Sequence, residues 1–147
     1  MQNPAQSVPV PNPNAGGSAA TLTGWILLVD DDASVRSLIE MILSRAKLTV
    51  RAAESGMAAL AIVESAPTPP ILLITDVMMP GIDGLSLARR MLARLPRLKV
   101  ILMSGQLSDS AWWPEDLSGL RLLKKPFAHD ELILAVNEGL TEASRER

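Results

Sequence analysis

Ile71-Leu72-Leu73-Ile74-Thr75-Asp76-Val77-Met78-Met79-Pro80-Gly81-Ile82-Asp83-Gly84 is the stretch on which the reading of this chain turns. Four apolar residues and a threonine run directly into a carboxylate, and a loop punctuated by Pro80, Gly81 and Gly84 follows. So short an unbroken apolar run predicts a strand buried on both faces, as in a parallel sheet covered by helices. Asp76 then falls at the carboxyl end of that strand, where open α/β sheets place their reactive groups.

Outward from this stretch the pattern recurs. Trp25-Ile26-Leu27-Leu28-Val29 is a second apolar run, ending in Asp30, Asp31 and Asp32. Val35, Leu38, Ile39, Ile42 and Ala46 then have the three-four spacing of a helix with one buried face, and Asp32 serves as its N-cap. Leu48 to Ala53 predicts a short strand, and Ser55 caps a helix through about Ala66 that Pro67, Pro69 and Pro70 stop. Beyond Gly84, the residues Leu85, Ala88, Met91, Leu92 and Leu95 sort as a helix ended by Pro96. Leu98 to Met103 is another buried strand, finishing at Ser104-Gly105. From Asp109 to Leu117, Trp112, Trp113 and Pro114 leave room only for a short or broken helix. Leu120 to Lys124 is a fifth strand with its exit at Lys125-Pro126-Phe127, and a last helix runs from about Asp130 to Leu140.

Strand and helix thus alternate five times. Right-handed connections of this kind give an α/β architecture: a doubly wound five-stranded parallel sheet, order 2-1-3-4-5, with helices on both faces. Its switch point lies between the first and third strands, whose carboxyl ends carry Asp30-Asp31 and Asp76.

The chain has 147 residues, 48% hydrophobic and 20% charged, with net charge −2, which predicts one ordinary domain. Without a basic excess a nucleic-acid surface has no electrostatic support. The absence of cysteine removes disulfides, thiolate metal sites and cysteine nucleophiles, and fits a cytoplasmic protein. No apolar run reaches the length of a membrane span, so no membrane is expected as a partner. Residues 1–23, rich in Pro, Asn, Ala, Gly and Ser, read as a disordered tail, residues 24–141 as the folded domain, and 142–147 as a short C-terminal tail.

Carboxylates converging at one sheet edge repel one another unless a positive charge sits among them, and oxygen-only donors suit Mg²⁺. The fourth and fifth strands bring a hydroxyl, Ser104, and an ammonium, Lys125, to the same edge. Carboxylate, hydroxyl, ammonium and divalent metal together make a site for a phosphoryl group: metal and Lys125 offset its charge, Ser104 donates a hydrogen bond, and one aspartate attacks.

Leu27-Leu28-Val29-Asp30-Asp31-Asp32, Thr75 to Gly84, Met103-Ser104-Gly105 and Lys125-Pro126-Phe127, taken together, resemble the receiver domain of bacterial two-component response regulators, over about Gly24 to Leu140. The resemblance is to the stand-alone, chemotaxis-regulator-like form and implies a flavodoxin-like fold. It implies that Asp76 accepts a phosphoryl group from a histidine kinase or a histidine phosphotransfer protein. It further implies Asp31 as direct metal ligand, Asp30 as its partner acting partly through water, and the Met78 backbone carbonyl on Mg²⁺. Lys125 would contact the acyl phosphate through a site that needs a cis bond to Pro126, and Ser104 would follow the phosphoryl group inward. Such a protein is not an enzyme in the ordinary sense; its self-catalysed steps are phosphotransfer and dephosphorylation. With only Thr141 to Arg147 after the last helix, the expectation is signalling by docking onto an unknown downstream protein, or phosphate relay.

Two departures from the family pattern carry consequences. Leu122 stands three positions before Lys125, where many receivers have an aromatic switch residue, so another element is expected to carry the signal. Trp112 and Trp113 make the segment before the fifth strand a specialised face, either a partner anchor or a core cover. Met78 and Gln106, two beyond Asp76 and Ser104, occupy the positions that in the family govern water access; an apolar Met78 predicts a long-lived phosphoryl group. His129 is read as solvated. Two alternatives are a receiver-like module that binds partners without phosphorylation, and a haloacid-dehalogenase-like phosphatase, suggested by Asp30-Asp31-Asp32-Ala33-Ser34 after a strand.

Overall fold

A computed structural model describes residues 24–105, 115–117 and 119–145. The expectations for residues 1–23, Gln106, Trp112 and Trp113 lie outside these residues. The described chain alternates β1 (Ile26–Val29), α1 (Ala33–Arg45), β2 (Val50–Ala53), α2 (Gly56–Ser65), β3 (Leu72–Asp76), α3 (Gly84–Arg94), β4 (Lys99–Ser104), a 3₁₀ turn (Glu115–Leu117), β5 (Arg121–Lys124) and α4 (His129–Arg145). All strand pairs are parallel, and the sheet order is β2-β1-β3-β4-β5, as expected.

The alternation of side chains along each strand divides the core into two layers. Leu27, Val29, Leu73, Val100 and Leu102 face α2 and α3, while Ile26, Leu28, Leu72, Ile74, Ile101 and Met103 face α1 and α4. Every residue of β1 and β3 is buried, which is why their sequences are continuous apolar runs rather than alternating ones. Asp32 and Ser55 cap their helices as read, accepting from Ser34 and Val35 and from Ala58 respectively; Asp83 caps α3 through the Ser86 N–H.

Two boundaries differ from the sequence reading by more than one residue. Leu48 belongs to the exit of α1, and the strand itself begins at Val50, with the Thr49 carbonyl just before it accepting from the Ile26 N–H at 2.9 Å. Lys47 takes a left-handed backbone (φ 69°), and the Leu48 N–H bonds to the Leu43 carbonyl at 3.1 Å, which closes the helix C-terminus. The last helix runs to Arg145 rather than Leu140, because Ala143 continues the buried stripe of Leu132, Val136 and Leu140.

Candidate functional site

The register of β1 on β3 sets the site. Val29 lies opposite Thr75, so the chains leave the sheet side by side at Asp30 and Asp76. Oxygens of Asp30, Asp31 and Asp76 lie within 4.8 Å of one another. Asp30 is fully buried, Asp76 is 8% exposed, and Asp31 stands at the rim in solvent. Lys125, the first residue past β5, brings its Nζ to 3.0 Å from Asp30 Oδ2 and 3.4 Å from Asp76 Oδ2. Its backbone N–H donates to the Ser104 carbonyl at 2.8 Å, holding the exit of β5 to the end of β4, and its bond to Pro126 is cis. Ser104, buried, ends the strand between those that carry Asp76 and Lys125. Met78 lies on the loop after β3 with its side chain more than half exposed. His129, at the start of α4, is exposed as expected.

Burial pushes the Asp76 carboxyl above its ordinary range; the Lys125 charge opposes this, the Asp30 charge adds to it, and the net shift is upward. Burial works against the Lys125 ammonium, but its hydrogen bond and ion pair with Asp30, joined by Asp76, outweigh that and raise its pKa. Among the described residues, the carboxylates of Asp30, Asp31 and Asp76 gather around the Lys125 ammonium, with the Arg36 guanidinium against the Asp30 carbonyl. The donors are all oxygens, two of the three withdrawn from water, a set that fits a hard divalent cation such as Mg²⁺.

Three supporting contacts were not read from the sequence. Arg36 donates from Nη1 to the Asp30 carbonyl at 2.7 Å. The buried Thr75 hydroxyl donates to the Asp76 carbonyl at 3.0 Å. Gly84 lets α3 begin against the end of β3: a Cβ there would sit 2.0 Å from the Asp76 carbonyl oxygen. Arg36 lies four beyond the Asp32 cap, where a long helical side chain points back over the first turn, but its partner there is set by the packed geometry of α1 and β1.

The family model for the response regulator receiver domain matches residues 26–137. The chain belongs to this receiver-domain family. Its curated relatives include the DNA-binding transcriptional regulator NtrC of Salmonella typhimurium, 37% identical over 119 residues, covering 80% of this chain and 25% of that protein. The chain therefore spans about a quarter of the length of the NtrC proteins it matches. Among solved structures, the receiver domain of the hybrid histidine kinase CckA is 35% identical with a TM-score of 0.66, covering 80% of this chain and 99% of that one. A CheY-like receiver domain protein from Methanospirillum hungatei is 25% identical with a TM-score of 0.76, covering 84% and 98%. As a receiver domain this is a signalling module rather than a classical enzyme, and the phosphatase reading, which leaves Asp76 without a task, is not favoured. Among the described residues no helix is long and apolar enough to cross a membrane.

Proposed function

We propose that Asp76 is the phosphoacceptor of this receiver domain and that its donor is the phosphohistidine of a histidine kinase or histidine phosphotransfer protein. The observation that carries this reading is the position of the Asp76 carboxylate, at the sheet's switch point beside Asp30, with the Lys125 ammonium reaching both carboxylates at 3.4 and 3.0 Å. An Asp76 oxygen attacks phosphorus, the P–N bond of the phosphohistidine breaks, and the imidazole keeps the electron pair and takes a proton. Lys125 faces the incoming phosphoryl oxygens and holds the carboxylate oriented for attack. Asp30, Asp31, Asp76 and the Met78 carbonyl would hold Mg²⁺, which supplies charge neutralisation for the transferring group. Ser104, buried at the next strand end, is placed to donate a hydrogen bond to the phosphoryl group once formed, and so to carry the change into β4. The output is docking onto a downstream protein or onward relay of the phosphoryl group.

Acetyl phosphate with Mg²⁺, followed by intact-mass measurement, tests the reading. The wild-type chain is expected to gain one phosphoryl group, and Asp76→Asn none. Equal phosphorylation of both overturns it.

A further inference from the structure

Each polar atom of the buried Asp30 is met from a different direction. Its N–H donates to the Ala53 carbonyl of β2 at 3.2 Å. Its Oδ1 accepts from the Asp32 N–H at 2.9 Å, and its Oδ2 accepts from Lys125 Nζ at 3.0 Å. Its carbonyl accepts from Arg36 Nη1 at 2.7 Å. The first three follow from the sheet and the loop itself. The fourth is brought in by α1, at the point where β1 has ended and a buried carbonyl needs a donor. Arg36 is well placed for this. Its own N–H bonds to the carbonyl of the Asp32 cap at 2.9 Å, and its half-buried side chain runs back over the first turn of the helix.

We infer that Arg36 is a positioning residue for the acidic loop, acting on Asp31 through the Asp30–Asp31 peptide. The Asp30 carbonyl and the Asp31 N–H belong to one planar unit, so a donor that holds the carbonyl fixes the direction in which the chain leaves Asp30. Asp31 is the exposed member of the acidic cluster, and packing does little to fix its carboxylate. The guanidinium supplies the constraint that burial supplies for Asp30 and Asp76. A fork of fixed donors suits this better than a flexible ammonium. The inference rests on the Mg²⁺ reading of the cluster and adds a residue outside the ligand set, whose loss costs metal affinity while leaving every ligand in place.

Isothermal titration calorimetry of Mg²⁺ into the full chain, without phosphodonor, provides the test. Arg36→Met keeps the apolar stem and removes the donor; it is expected to weaken Mg²⁺ about 10- to 100-fold, the usual loss for an outer-shell partner. Arg36→Lys, which retains one donor, is expected to recover part of that loss. Near-UV circular dichroism of the metal-free variants should match wild type. A merely structural Arg36 would lower the urea midpoint and leave Mg²⁺ affinity unchanged, and an Arg36→Met affinity equal to wild type overturns the inference. If Arg36→Met does not fold, the comparison passes to Arg36→Lys and the shorter Arg36→Gln, where equal affinities overturn it. A wild-type chain that binds no Mg²⁺ fails at the metal reading, and the inference falls with it.

Discussion

At Asp76, burial and the neighbouring Asp30 charge work against ionisation, and Lys125 offsets them only in part. A carboxyl whose pKa is higher folded than unfolded contributes stability at acid pH, and that contribution is lost as pH rises through the folded value. In metal-free buffer, Asp76→Asn keeps the shape and removes the charge, so it is expected to be more stable than wild type at neutral pH. The difference should close as pH falls below the ordinary carboxyl range. Urea midpoints across that pH range check the sign; a variant less stable than wild type at pH 7 contradicts it. Beside this residue, the exposed Met78 offers water no polar partner, which predicts slow hydrolysis of the acyl phosphate. A lifetime of seconds, followed by mass after removal of the donor, contradicts that prediction. At this scale, the residues legible in the sequence were those that end strands, because the end of an apolar run can be read directly. Arg36 and the Thr75 hydroxyl act through the reach of a side chain, which depends on the packed geometry of α1 and β3.

Among the elements, α3 is the most tightly constrained by the site. A methyl group at Gly84 would collide with the backbone of Asp76 and Val77, forcing the helix away from β3. Gly84→Ala is therefore expected to cost roughly 3 kcal/mol, the upper end of ordinary overpacking, and to slow phosphorylation as well. Gly81→Ala meets no neighbour and suffers only from its positive φ, for roughly 1 kcal/mol. Denaturant unfolding of the two variants separates them, and equal costs contradict the contact. The order and type of the elements were legible because apolar runs and three-four spacing differ sharply in period. Their ends were less so. Lys47 adopts a backbone that a sequence assigns more readily to glycine, and Ala143 is too small to advertise the buried turn it completes.

For the whole molecule, the acidic cluster exists only when β1 and β3 are side by side, so the proposed Mg²⁺ binding would be linked to folding of the sheet. At a Mg²⁺ concentration one hundred times Kd, the folded state is expected to gain about 2.7 kcal/mol. Asp31→Asn should lose most of that gain, and urea unfolding with and without Mg²⁺ measures it. Leu122, half-buried against the α2 and α3 layer, stands where many receivers carry an aromatic residue, so the proposed signal from Ser104 would use another element. The two-layer core, the sheet order and the convergence of Asp30, Asp31, Asp76 and Lys125 all trace to strand ends that the sequence already marks. The most direct measurement is to phosphorylate the chain, reduce the acyl phosphate with borohydride, and locate the resulting homoserine by peptide mass mapping. The account predicts homoserine at position 76 alone; homoserine at position 30 or 31, with Asp76 unmodified, contradicts it.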